Sequence, residues 1–206
     1  MPRRLPNRSR FPALSLAGAL LLALAAAACG GSEKTKPTPA ATDAAPAGTP
    51  TAEVASITLT SIFEAGAAIP GDYTCESRDV SPPLRWSGAP AGTAAFVLLM
   101  DAPDAPGGTF DHWVVYDLPS SVDQLDPAVP PGPALTDGGR QGKNSFNNVG
   151  YNGPCPPEGS EHHYRFRIFA LDAALGLGPE KGKGEVEQAM RGHVIASGEL
   201  IGTFKR

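Results

Sequence analysis

Residues 54–206 read as a mainly antiparallel β domain with a single helix near the C-terminus. Three observations predict this. Apolar residues recur with the two-residue period of strands, or as continuous stretches of strand length. Segments dense in Pro, Gly and Asp separate those runs. Gly 24 and Pro 22 together make 46 of the 206 residues, too many for a helical bundle and suited to turn-rich β structure. About 150 residues are enough for one domain to bury a core of its own.

Ile57 to Ile62 (ITLTSI) alternates apolar and polar side chains, as a half-buried strand does. Ala94 to Met100 (AAFVLLM) is apolar without a break, which predicts a strand covered on both faces. His112 to Tyr116 (HWVVY) is rich in β-formers. From His163 to Leu171, Tyr164, Phe166, Ile168 and Ala170 share one face, and His163, Arg165 and Arg167 share the other. The aromatic residues Tyr164, Phe166 and Phe169 read as strand burial, and Trp86 and Trp113 as core. Gly184 to Ala196 predicts the helix, with Val186, Met190 and Val194 on one stripe and His193 packed or capping within it; a last strand follows over Glu199 to Phe204. No glycine-rich phosphate loop follows a strand, which excludes dinucleotide-binding and P-loop folds.

The N-terminal region carries a different signal. Residues 1–28 hold Arg3, Arg4, Arg8 and Arg10, no acidic residue, and an apolar stretch from Phe11 to Ala28 that ends on small residues before Cys29. This pattern is an export signal. Closing on a cysteine, it resembles a bacterial lipoprotein signal, with Cys29 as the lipidated first residue of the mature chain. Residues 29–53 are rich in Pro, Ala and Thr and lack hydrophobic periodicity, as expected of a disordered tether. The expected location is the bacterial cell envelope, with the domain lipid-anchored to a membrane on its extracytoplasmic side. Residues 29–206 carry 13 basic and 21 acidic groups, a net charge of −8, which argues against a nucleic-acid partner.

Chemistry concentrates around the histidines, of which the chain has four. His112 opens a strand after Asp101, Asp104 and Asp111, and His162 opens another after the Gly153-Pro-Cys-Pro-Pro157 loop. Strand starts beside proline-stiffened loops suit the mouth of a pocket. There His112, His162 and the Tyr164 hydroxyl supply hydrogen bonds to an anion; the competing reading is that each histidine is a satisfied structural residue. No ligand spacing for a metal is present, and no nucleophile elbow, so neither a metal, a cofactor nor catalysis is expected. With Cys29 given to lipid, Cys75 and Cys155 form the remaining pair, either bridged or as two buried thiols. A bridge would close an 80-residue loop, worth about 4 kcal/mol on the chain-entropy view.

Two longer stretches carry a resemblance. Met100 to Ser120 (MDAPDAPGGTFDHWVVYDLPS) and Gly150 to Ala173 (GYNGPCPPEGSEHHYRFRIFALDA) resemble the two signature regions of the phosphatidylethanolamine-binding protein family, in its bacterial Raf-kinase-inhibitor-like branch. Supporting stretches are Ile69–Ser87, Gln141–Pro157 and Met190–Arg206, so the likeness covers residues 54–206. It implies two antiparallel β-sheets with a C-terminal helix and, at one end, a pocket for phosphate-like groups such as a phospholipid headgroup. Carried over, the pocket histidines fall on His112 and His162, and the tyrosine of the family's His-Arg-Tyr on Tyr164. The wall falls on Gly153, Pro156 and Pro157, and the second acid of Asp-Pro-Asp-Ala-Pro on Asp104.

The chain departs from the pattern twice. His163 replaces the arginine of His-Arg-Tyr, and Ala102 replaces the first acid of Asp-Pro-Asp-Ala-Pro. Asp101, one residue earlier, points elsewhere by strand alternation. Loss of a pocket carboxylate favours an anion and weakens any preference for an ammonium group. The expected function is non-catalytic binding of a small anion or phospholipid headgroup. The alternative is a protein partner, as for family members that inhibit serine proteases or kinases.

Overall fold

The computed structural model describes residues 55–206. The expected export signal over 1–28, Cys29 and the tether over 29–53 lie outside those residues. Chain order is β1 (Ala55–Ser56), β2 (Thr58–Ser61), β3 (Leu84–Ser87), β4 (Ala95–Ala102), β5 (Phe110–Pro119), β6 (Gln124–Leu125), β7 (Arg140–Gln141), β8 (Glu161–Leu171), α1 (Lys183–Ala189) and β9 (Val194–Lys205), with a 3-10 turn at Gly71–Tyr73. The strands form a six-stranded sheet in the order β1-β9-β8-β4-β5-β7 and a three-stranded sheet in the order β2-β3-β6. Only β1 against β9 is parallel among the strand pairs.

β4 sits inside the large sheet, and all its residues are buried, as its unbroken apolar run predicts. Its alternation divides the core. Phe96, Leu98, Met100 and Ala102 face the small sheet with Trp86, Trp113, Tyr164, Phe166 and Ile168. Val97 and Leu99 face the other way, where Val186 and Met190 of the α1 segment cover them together with Val114, Tyr116 and Leu171. Each large side chain fully withdrawn from water contributes about 1.5–3 kcal/mol before ordering costs. Phe169 belongs to the second layer, so it does not share the face of Tyr164 and Phe166.

The C-terminal elements correct the sequence expectation. α1 covers seven residues and stops at Ala189, well short of Ala196. Gly192 stops it: its φ of 82° puts the chain into the left-handed region that ends helices. β9 begins five residues before Glu199 and runs for 12 residues, because Val194 already pairs with Leu171. His193 therefore lies in the turn and not in the helix, where its Nδ1 meets Asp172 Oδ1 at 2.8 Å.

Candidate functional site

The sheet order brings the separated histidines together, since β5 and β8 both pair with β4. A β-bulge then aims one of them. Met100 faces Trp113 across the ladder and Asp101 faces Asp111, so His112 is the extra residue between them. Such a bulge turns two successive side chains toward one side and commonly borders functional sites. Here Asp111 turns with Asp101 to the α1 side, while His112 and Trp113 both serve the side facing the small sheet. Trp113 is fully buried and donates its Nε1–H to Gln141 Oε1 at 2.7 Å.

His112, His162 and Tyr164 line one cavity of about 200 Å³, with Ala102, Pro156 and Pro157. His112 Nδ1 donates to the Asn152 carbonyl at 2.8 Å, which fixes the tautomer of the neutral ring and leaves Nε2 for the cavity. Burial lowers the His112 pKa, against the opposing pull of the Asn152 hydrogen bond, so the ring is neutral near pH 7. The Tyr164 ring packs edge-on to it at 5.2 Å, and burial followed by the charge of Asp104 pushes the phenol pKa up. Its hydroxyl therefore stays protonated and able to donate. His162 is 8% exposed and comes from the same strand face as Tyr164.

The other carried-over residues support the cavity from outside. Asp104 is not in its lining: the carboxylate accepts from the His163 backbone N–H at 3.1 Å and meets the His163 ring Nδ1 at 2.9 Å. Burial raises the Asp104 pKa, but those His163 hydrogen bonds outweigh it and hold the carboxyl below its usual range. Gly153 stands behind the wall and donates its N–H to Asp79 Oδ1 at 2.6 Å. A Cβ there would come within 2.5 Å of the Tyr73 carbonyl oxygen, so only glycine fits. Cys75 and Cys155 are bridged, with Cα atoms 5.4 Å apart. That bridge, the Tyr151 hydroxyl on the Tyr73 carbonyl at 2.6 Å and Cys75 N–H on the Pro154 carbonyl at 3.1 Å hold the wall against residues 73–79.

Sequence reasoning missed several members. Phe110 and Phe146 line the cavity, as do Ala105, Pro106 and Cys155. Phe110 sits two residues before His112, a spacing that was readable as a shared strand face. Asn144 lies in a stretch of asparagines that nothing marked as structural. It is buried and donates to the His112 carbonyl, the Gly150 carbonyl and Asn152 Oδ1, tying the wall loop to the bulge.

Asp101 sits on the opposite face with no exposed side-chain surface. Arg165 Nε reaches it at 3.0 Å, Arg167 at 2.6 Å and Lys183 Nζ at 2.7 Å, and Lys183 also meets Asp111 at 2.8 Å. Burial opposes its ionisation, but the hydrogen bonds from Arg165 and Lys183 and the charge of Arg167 hold the carboxyl below its usual range. No group of three or more His, Cys, Asp or Glu able to hold a metal occurs among the described residues.

Two packed sheets with a histidine-lined cavity at one end of the larger define a binding-protein fold. The chain belongs to the phosphatidylethanolamine-binding protein family, whose model matches residues 59–205. It is 48% identical over 146 residues to a UPF0098 protein of Aquifex aeolicus, covering 70% of this chain and 85% of that one. It is 38% identical over 199 residues to the Mycobacterium tuberculosis protein named "Putative lipoprotein LppC", covering 93% of this chain and 95% of that one. Among solved structures, E. coli YbcL, described as a member of the mammalian family, superposes with a TM-score of 0.67 at 30% identity over 73% of this chain and 98% of that one.

Proposed function

We propose that the protein is a non-catalytic binding protein that holds a phosphate-like anion, free or as a phospholipid headgroup, between His112, His162 and Tyr164. The observation that carries this reading is the convergence of those three polar side chains on one otherwise apolar cavity. Bound there, the anion accepts from the Tyr164 hydroxyl and from imidazole N–H groups. His112 is neutral in the free protein, so an anion entering beside it draws a proton onto Nε2, and binding tightens as pH falls. The lining holds no serine, lysine or carboxylate and its one cysteine is bridged, so the only reactive side chains it offers are the two histidines and Tyr164 that the proposed anion engages. Similarity to a protein named as a lipoprotein over 93% of this chain supports a lipid on Cys29 and a place at the extracytoplasmic face of a membrane.

The test is a titration with inorganic phosphate and with acetate, followed through the imidazole NMR signals. His112 and His162 shift together and saturate together, and the His162→Ala protein loses the response. Silence of both rings at millimolar phosphate overturns the anion reading. Metabolic labelling with a lipid precursor tests the anchor: label incorporated by the parent and lost from Cys29→Ser supports it, and label kept by the variant overturns it.

A further inference from the structure

We infer that the cavity selects an anion joined directly to an apolar, flat substituent, an aryl phosphate or aryl carboxylate in chemical class, and discriminates against ligands that carry an ammonium group. This rests on the anion reading above and sharpens it. The carboxylates around the cavity have other partners, Asp79 among them through the Gly153 N–H behind the wall. Asp101 is turned to the opposite face and held by Arg165, Arg167 and Lys183. Asp111 is paired with Lys183 at 2.8 Å on that same face. Asp104 is occupied by the His163 backbone and ring, outside the lining. At the position facing the cavity stands Ala102, 1% exposed. An ammonium group entering would shed its water and find no carboxylate in the lining to pair with directly.

What the cavity offers instead is apolar surface. Phe110 and Phe146 meet edge to face at 4.8 Å, and the Phe146 ring also stands edge-on to His112 at 5.8 Å. Phe146 is one of the two large hydrophobic residues left exposed among those described, at 42%. It lies on the cavity lining, so a ligand's apolar group would cover part of what water now covers. The volume of about 200 Å³ is some seven water volumes. That accommodates a phosphate bearing a benzene-sized group, and falls below the roughly 300–1,000 Å³ of sites that enclose larger ligands.

Calorimetric titration of the whole protein with phenyl phosphate, benzoate, phosphoethanolamine and inorganic phosphate tests the selectivity, while histidine NMR reports occupancy. Phenyl phosphate binds at least about tenfold more tightly than phosphoethanolamine or inorganic phosphate, the factor that two methylene equivalents of buried surface supply. Benzoate against phenyl phosphate separates a carboxylate from a phosphate ligand. In Phe146→Ala, an exposed position whose truncation leaves the core intact, the advantage of phenyl phosphate over inorganic phosphate shrinks to about threefold or less. In Ala102→Asp, phosphoethanolamine gains on phenyl phosphate.

Phosphoethanolamine binding as tightly as phenyl phosphate, with both histidines shifting, overturns the selectivity and leaves the anion pocket standing. An advantage of phenyl phosphate that survives Phe146→Ala in full overturns the role of the aromatic rim. Failure of all four ligands to bind overturns the anion reading itself.

Discussion

Asp101 and Ala102 are neighbours on β4, yet they face two polar regions of opposite character. On the α1 side, the buried carboxylate of Asp101 is met by three cations, and Arg167 and Lys183 are each shared with a further acid, Glu187 and Asp111. On the other side, Ala102 borders His112, His162 and Tyr164, around open volume. Such a cluster fixes geometry, because each charge already has an opposite charge beside it, although the buried Arg167 Nε has no hydrogen-bond partner. Polar groups kept beside a cavity are what a ligand can use. The difference teaches that charge density alone does not mark a candidate site in this molecule; polar side chains bordering open volume do.

The sharpest way to break the contrast is to remove the centre of the cluster. Asp101→Ala removes the partner that Arg165, Arg167 and Lys183 share, leaving them Glu199, Glu187 and Asp111, and costs about 3 kcal/mol in denaturant unfolding. An unchanged midpoint would show that the cluster is solvated and carries no structural weight. On the cavity side the comparable tie is covalent. Replacing both Cys75 and Cys155 by alanine costs about 2–4 kcal/mol, measured the same way. That pair loosens the cavity wall, whereas Asp101→Ala leaves the wall in place.

Tyr164→Phe belongs to the open side and acts on binding more than on folding. It removes only a hydroxyl, and phosphate affinity falls about 10- to 100-fold, the worth of a hydrogen bond to a charged group, with little change in the unfolding midpoint. The exposed His193–Asp172 pair provides the small end of the scale. His193→Ala shifts stability by no more than about 0.5 kcal/mol, as checked by thermal melting.

Acidification separates the two sides by pH. His112 has a folded pKa below its ordinary 6.5, so its stabilising contribution is present above pH 6.5 and declines as pH falls from there through the folded value. Asp101 has a folded pKa below its ordinary 3.8, so its contribution is intact above 3.8 and is lost as pH falls through the folded value. A stability-against-pH curve therefore shows two declines, and only the one nearer neutrality disappears in His112→Ala. Phosphate, by drawing a proton to His112, moves that upper decline and leaves the lower one in place.

Much of this was legible in the chain, for identifiable reasons. The unbroken run of β4 and the alternation of β8 follow from side-chain periodicity, and alternation also carries Asp101 away from the cavity. The bulge at His112 has no such signature, because it depends on how β5 registers against β4. The helix expected as far as Ala196 includes Val194 in its apolar stripe, although Gly192 marks a stop before it. Asn144 has no local signature for a different reason: its importance lies in the His112 carbonyl on β5 and the Gly150 carbonyl and Asn152 side chain of the wall loop, which the fold brings to it.

The Cys75–Cys155 bridge turns residues 75–155 into a covalent ring. His112 lies inside the ring, whereas His162 and Tyr164 lie outside it, on the strand that continues from its closure. A peptide bond cut anywhere within the ring, for instance in the exposed stretch at Asp137, opens the circle without releasing either part. Where the cut falls between His112 and Cys155, the two halves of the cavity remain one molecule, and become separate pieces only once the sulphur link is reduced.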